Sequence, residues 1–132
     1  MTILALLTTA LLFGGMVLNA FGFAAFLFQV LPAETAGATI RRAFPHFYLF
    51  VMTCAALAGA LLWPQDRLGA LLLLSIAFTT IPARQVLMPA INRATDRGAQ
   101  ARFRWLHSLS VALTVVHILL AGWVLPRFLP VV

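Results

Sequence analysis

The sequence has no lysine and few acidic residues: its nine basic residues are all arginine, and Asp and Glu together number three. Charged residues make up 9% and hydrophobic residues 63% of the 132 positions, whereas an ordinary soluble domain is about 25% charged. A small soluble domain leaves much of its surface in water and has no room to bury so many apolar side chains. The composition therefore excludes a soluble fold and predicts one integral membrane domain over residues 1–132.

Cysteine and intramembrane acid are also scarce. The single cysteine, Cys54, excludes an intramolecular disulfide and a cysteine-based metal site. The three acids, Glu34, Asp66 and Asp96, all lie between apolar stretches, so no span supplies a carboxylate to carry protons or orient a ligand. There is no Ser/His/Asp arrangement, glycine-rich phosphate loop or metal motif. The sequence thus favours a non-enzymatic protein and leaves the question of catalysis open.

Four apolar stretches are long enough to cross about 30 Å of hydrocarbon, which takes about 20 helical residues. Backbone groups left unpaired in lipid are costly, so each stretch is predicted to be a helix. The predicted fold is all-α, an integral membrane four-helix bundle with helices at about 3–31, 44–63, 68–91 and 103–125. Residues 1–24 have no positive n-region, so we expect them to stay in the first helix rather than be cleaved as a signal peptide.

The arginines predict the orientation. Those of the first and third connections are Arg41, Arg42, Arg93, Arg97, Arg102 and Arg104, against Arg67 and Arg127 on the other side. The positive-inside rule places the arginine-rich connections in the cytoplasm. Arginines in this arrangement indicate lipid anchors rather than a nucleic-acid-binding face. We therefore expect a multi-pass protein of a bacterial inner membrane, with both termini periplasmic.

Polar and small side chains recur at alternating steps of four and three along the first predicted helix, at Gly15, Asn19, Gly22, Phe26 and Gln29, and in the same way along the fourth. The second and third helices carry similar stripes, and that of the third includes Ser75 and Thr79. Such stripes are typical of interhelical packing, in which small residues permit close approach. With the predicted orientation, four polar residues share one level near the cytoplasmic face and form a candidate functional cluster: Gln29, His46, Arg84 and His107. A second group lies nearer mid-membrane and forms a deeper polar stripe: Asn19, Thr114 and His117.

These residues allow more than one interpretation. Arg84 either extends to the headgroups or is anchored inward by a carbonyl that Pro82 frees. The histidines either hydrogen-bond to neighbouring helices or bind haem or a metal ion. A metal pair requires His46 with His107, because His107 and His117 lie about 15 Å apart along one helix.

Two segments carry a resemblance to a known family. The first segment consists of Leu31-Pro32, Gly37 and Phe44-Pro45-His46-Phe47-Tyr48. The second consists of Met88-Pro89-Ala90-Ile91-Asn92, Asp96 and Arg102-Phe103-Arg104-Trp105-Leu106-His107-Ser108-Leu109-Ser110. Together they resemble the transmembrane-protein-205-like family, whose bacterial members are a domain of unknown function. Ser108 and Thr114 depart from the family's Gly and Asn. The resemblance implies a four-helix membrane fold and draws attention to His107, but implies no established reaction.

Three functional hypotheses follow. The first is a protein that acts by association, as a homo-oligomer or as an accessory subunit among other membrane subunits in the lipid bilayer. The second is a dimeric protein for solute or ion permeation, with the polar cluster at its cytoplasmic mouth. The third is a redox protein that binds haem or a metal; under the other two, no cofactor is expected.

Overall fold

The computed structural model describes residues 1–129, which contain helices and no β-strand. Four continuous helical segments are long and apolar enough to cross a membrane: α1 Thr2–Val30, α2 Ala33–Leu62, α3 Arg67–Asp96 and α4 Gln100–Phe128. The prediction of an all-α fold with four membrane-crossing helices is confirmed. The expected position of the C-terminus at Val132 lies outside the described residues.

Helix α2 begins at Ala33, well before the predicted start at Phe44. The prediction treated the Phe44-Pro45 step as a helix start because proline is well tolerated in the first turn. In the structure Pro45 lies inside the helix. The preceding segment is helical because Pro32 ends the extended connection, Glu34 favours a helix N-terminus and the alanines have high helix propensity. Arg41 and Arg42 are therefore helical residues rather than loop residues.

Helix α3 also continues past its predicted end at residue 91 and ends at Asp96. It contains Pro82 and Pro89, between which residues Ala83–Leu87 form a π-helical turn. The chain reverses at Gly98, whose φ of 65° is a left-handed conformation that glycine adopts without a Cβ clash. Helix α4 then starts at Gln100 and its last turn, Leu125–Phe128, is a 3₁₀ turn. The predicted arginine-rich connections are thus mostly helical extensions.

Helix α2 packs along both α1 and α3, and α4 packs against α1 and α3. The core is made of small and branched apolar side chains from all four helices. Helices α2 and α3 approach closely where Gly59 lies against Leu74 and the backbone oxygen of Ala70. Fully buried members include Leu12, Met16, Val51, Ala55, Ala58, Leu73, Ile76, Ala121 and Val124.

The turn between α2 and α3 defines one end of the bundle, called here the Asp66 end. Asp66 caps α3, because its side chain accepts a hydrogen bond from the Gly69 amide at 3.1 Å. Arg127, from the end of α4, donates two hydrogen bonds to the same carboxylate, at 2.5 and 2.7 Å. The Arg127 guanidinium holds the pKa of Asp66 at about 2, below its ordinary value of 3.8. This bidentate ion pair ties α4 to the α2–α3 turn.

The opposite end of the bundle, called here the Asp96 end, has a second bidentate pair. Arg41 of α2 donates to both carboxylate oxygens of Asp96, at 2.7 and 2.9 Å. About half of each side chain is exposed, 45% and 56% respectively. An ion pair this open is screened by water and contributes little stability. Two of the three acids in the sequence therefore neutralise one arginine at each end.

Candidate functional site

The four residues of the predicted polar cluster have different environments. The side chains of Gln29, His46 and His107 are exposed, whereas that of Arg84 is half-buried. The His107 ring stacks on Phe103, with ring centroids 5.4 Å apart. Within residues 1–129 no hydrogen bond joins any two of these four side chains. Arg84 is the member that is tied into the fold.

The environment of Arg84 depends on the π-helical turn. Pro89 has no backbone N–H, and just before it the Met88 N–H donates to the Ala83 carbonyl, five residues back. This extra residue per turn shifts the following side chains around the helix axis. Arg84 Nε donates to the carbonyl oxygen of Pro45 on α2, at 3.3 Å. The inward anchor is therefore a carbonyl of a neighbouring helix, not one freed by Pro82 in the same helix.

The deeper polar stripe contains one interhelical hydrogen bond, between the buried His117 and the exposed Thr79. His117 is 6% exposed, and its Nε2 lies 2.8 Å from Thr79 Oγ1 on α3. The Thr79 hydroxyl also lies 2.7 Å from the Ser75 carbonyl oxygen. Because a hydroxyl has one proton, we assign it to the Ser75 carbonyl, and His117 Nε2–H then donates to Thr79 Oγ1. Thr114 donates to the Ser110 carbonyl of its own helix at 3.0 Å, so the stripe contributes mainly to packing.

A second polar contact joins α2 to α4. The buried Tyr48 hydroxyl lies 3.4 Å from Ser110 Oγ. Tyr48 belongs to an aromatic cluster with Phe44 and Phe47, and Phe47 stacks on Phe50. Sequence reasoning did not single out Tyr48 or Thr79 as hydrogen-bonding partners. The signal was present, because Tyr48 is the only tyrosine and Thr79 was already placed on the α3 packing stripe.

A concave surface between α1 and α2 forms an open groove with a volume of about 560 Å³. It lies beside the π-helical turn of α1, Asn19–Phe23. One end is closed where Phe50 packs on Gly15, at which a Cβ would lie 2.5 Å from the ring. The lining is apolar except for the Asn19 amide. It consists of Gly15, Leu18, Asn19, Gly22, Phe23, Phe26, Ala43 and Phe47.

The predicted α1 stripe therefore faces α2 through most of its length, since Gly15, Asn19, Gly22 and Phe26 all contact this groove. Between Gly15 and the Asp96 end of the bundle, the stripe leaves the interface between α1 and α2 open. Because Asn19 lies on α1 and lines this groove, it is not part of the His117–Thr79 hydrogen bond between α3 and α4.

No group of three or more His, Cys, Asp or Glu side chains that could hold a metal ion occurs within residues 1–129. His46 and His107, the proposed metal pair, are both exposed. Binding of haem or a metal stays a prediction, which a visible absorption spectrum of the purified protein checks.

A family model described as Domain of unknown function (DUF4149) matches residues 7–100. The chain belongs to this family. The matched segment covers most of α1 and all of α2 and α3, and so includes the groove and Arg84. No curated protein and no solved structure matches the chain. The predicted resemblance to a bacterial domain of unknown function is confirmed, whereas the wider transmembrane-protein-205-like relationship stays a prediction.

Proposed function

We propose that this DUF4149 protein acts by association in the membrane, as a homo-oligomer or as an accessory subunit of a membrane complex. The observation that carries the proposal is an exposed strip on α2, the helix that packs against both α1 and α3. The strip lies on the side of α2 opposite the core residues Val51, Ala55 and Ala58. Its members are His46, Leu49, Thr53, Ala56, Leu57 and Ala60.

The chemistry of this strip favours a protein neighbour over lipid. Ala56 and Ala60 are four residues apart, the small-xxx-small spacing that allows two membrane helices to approach closely. Thr53 and His46 add polar groups on the same side of the helix. Polar side chains within a bilayer tend to face protein or a water-filled cavity. A helix of a second subunit that packs on this strip would cover both the polar and the small side chains.

The location and orientation are part of the same proposal. Six arginines lie at or near the Asp96 end, and Arg67 and Arg127 lie at the Asp66 end. By the positive-inside rule, the Asp96 end faces the cytoplasm of a bacterial cell and the N-terminus faces the periplasm. Reporter fusions at the two termini test this, and a cytoplasmic signal from either fusion would overturn the orientation. A shared topology with transmembrane-protein-205-like proteins is proposed on the same basis.

Site-specific crosslinking in native membranes tests the association. A photoreactive residue at Ala60 is expected to give a discrete higher-mass adduct, either a dimer or a complex with one other subunit. The matched control is Leu119 on α4, which is 65% exposed and whose exposed neighbours one turn away are the large apolar residues Val115, Val116 and Trp123. Equal crosslinking at both positions, or a strictly monomeric protein in mild detergent with no adduct at Ala60, would refute the proposal.

Arg84 supports a second candidate function, permeation of a solute or ion through a dimer. Its guanidinium is half-buried within a membrane-spanning helix, and intramembrane cations commonly mark permeation pathways. Reconstituted vesicles are then expected to carry an anion or solute flux that Arg84→Gln abolishes. Arg97→Gln, an exposed arginine in the α3–α4 turn, is the matched control. A flux that survives Arg84→Gln would remove this role.

A further inference from the structure

The groove between α1 and α2 is open, and its position along the bundle suggests what fills it. Phe50 packs on Gly15, so these two residues lie at one level. The two helices are antiparallel. Seven residues from Gly15 towards the Asp96 end is Gly22 on α1, and seven residues from Phe50 in the same direction is Ala43 on α2, so Gly22 and Ala43 lie opposite each other. Both line the groove, about 10 Å from its closed end. The groove therefore runs from the apolar interior towards the Asp96 end.

Arginine lies where the groove approaches the headgroup region. Arg41 and Arg42 directly precede Ala43 in α2, and both are exposed. Arg41 is paired with Asp96, whereas Arg42 has no ion-pair partner among residues 1–129. Arginines at the edge of a span attract anionic lipid headgroups. A free cation thus lies beside the mouth of a cavity whose walls suit hydrocarbon.

The groove walls favour a hydrocarbon chain over a polar ligand. Phe23, Phe26 and Phe47 supply aromatic surfaces, and Gly15 and Gly22 leave room beside the α1 backbone. The Asn19 amide is the single polar side chain in the lining, at the start of the π-helical turn. It provides one hydrogen-bonding group at a depth between the closed end and Arg42.

We propose that this groove is a binding site for an anionic phospholipid, with one acyl chain between α1 and α2 and the phosphate at Arg42. The Asn19 amide donates to an ester oxygen of the same lipid. The groove residues Ala43 and Phe47 lie on a different side of α2 from the strip, whereas Arg42 precedes the strip residue His46 by one helical turn.

Native mass spectrometry of the full chain in mild detergent tests the site, with phosphatidylglycerol and phosphatidylcholine of equal chain length as probes. The wild-type protein is expected to retain one phosphatidylglycerol in preference to phosphatidylcholine. Arg42→Gln is expected to lower phosphatidylglycerol affinity about fivefold, the contribution of one arginine near an anionic headgroup. It lowers phosphatidylcholine affinity less, because the choline cation offsets the charge of that lipid's phosphate, so the preference for phosphatidylglycerol shrinks. Arg97→Gln, at the same end but in the α3–α4 turn, is the control and keeps the preference.

A substitution that fills the groove distinguishes a specific lipid-binding site from the lipid that surrounds the protein non-specifically. Gly22→Leu places a side chain in the groove, and its Cβ meets only the flexible end of Leu18, at 3.2 Å, which has to shift by a few tenths of an ångström. It is expected to abolish specific retention of both lipids, because the added side chain occupies the space of the acyl chain and removes that chain's dispersion contacts with the groove wall. Gly14→Leu adds the same side chain to α1 where no atom lies within 4 Å, and should change nothing.

Three outcomes overturn the proposal. Equal lipid retention by the two glycine variants means non-specific surrounding lipid only. Retention of phosphatidylglycerol and phosphatidylcholine to the same extent by the wild-type protein removes the headgroup site. A lipid-free dimer that Gly22→Leu converts to monomer shows instead that a second copy occupies the groove. Thermal unfolding of each variant, followed by circular dichroism, verifies that the proteins compared are folded.

Discussion

Substitution of Gly59 by valine tests a contact in which a glycine of α2 lies directly against the backbone of α3. A Cβ at this position would lie 2.8 Å from Leu74 Cγ and 3.1 Å from the backbone oxygen of Ala70. Leu74 can adopt another rotamer, but the Ala70 oxygen belongs to the backbone of α3, so α2 and α3 must separate. Overpacking of this kind costs about 1–3 kcal/mol. The higher helix propensity of valine relative to glycine offsets less than about 0.5 kcal/mol. The expected net loss is about 0.5–2.5 kcal/mol.

The assay is reversible unfolding in mixed micelles, followed by the circular dichroism of the helices. Gly14→Val is the control, because position 14 gains the same propensity with no atom within 4 Å of the new Cβ. It should stay within about 0.5 kcal/mol of the wild-type protein. If Gly59→Val and Gly14→Val unfold with equal free energies, the close α2–α3 approach is not a source of stability and the packing argument fails.

Three further predictions concern polar contacts and the chain reversal. Thr79→Val removes the hydrogen-bond partner of the buried His117. It should lower the unfolding free energy by about 0.6–1.7 kcal/mol in the same assay. An unchanged unfolding free energy would show that this hydrogen bond is not formed. Because Arg127 lowers the pKa of Asp66 from 3.8 to about 2, this stabilisation is complete above pH 4 and is lost as the pH falls through about 2. Asp66→Asn should therefore flatten the acid limb of the stability profile, and an unchanged limb would contradict the ion pair. Gly98→Ala meets no atom within 4 Å but must adopt a φ of 65°, which should cost about 1–2 kcal/mol in thermal unfolding; a neutral effect would refute the argument.

Sequence reasoning located the four spans but not their ends. Phe44-Pro45 was interpreted as a helix start, yet α2 runs through Pro45 from Ala33. A proline is compatible with both a first turn and a helix interior, and only the pairing of the surrounding backbone distinguishes the two. The same limit applies at Asp96, where α3 continues beyond the hydrophobic stretch because helical backbone remains favourable outside the hydrocarbon.

The candidate site shows a similar division. The stripe of Gly15, Asn19, Gly22 and Phe26 was predicted to face a neighbouring helix, and it faces α2. The groove beside this stripe depends on the π-helical turn at Asn19–Phe23. No proline in this segment indicates the turn in the sequence. The level assigned to Gln29, His46, Arg84 and His107 came from counting residues along straight helices. Counting gives depth but not direction around the helix axis, and three of the four side chains prove to be exposed.

The sequence by itself determined that this protein has four membrane-crossing helices, because transfer of about 20 apolar residues into lipid is a property of each segment alone. It also determined the asymmetry of arginine between the two ends, which depends only on composition along the chain. The tertiary structure decided which sides of those helices meet. Phe50 closes on Gly15, Arg84 reaches the Pro45 carbonyl, and the α2 strip and the α1–α2 groove stay open. These features depend on small rotations about each helix axis, which local π turns and side-chain contacts set and hydropathy does not encode.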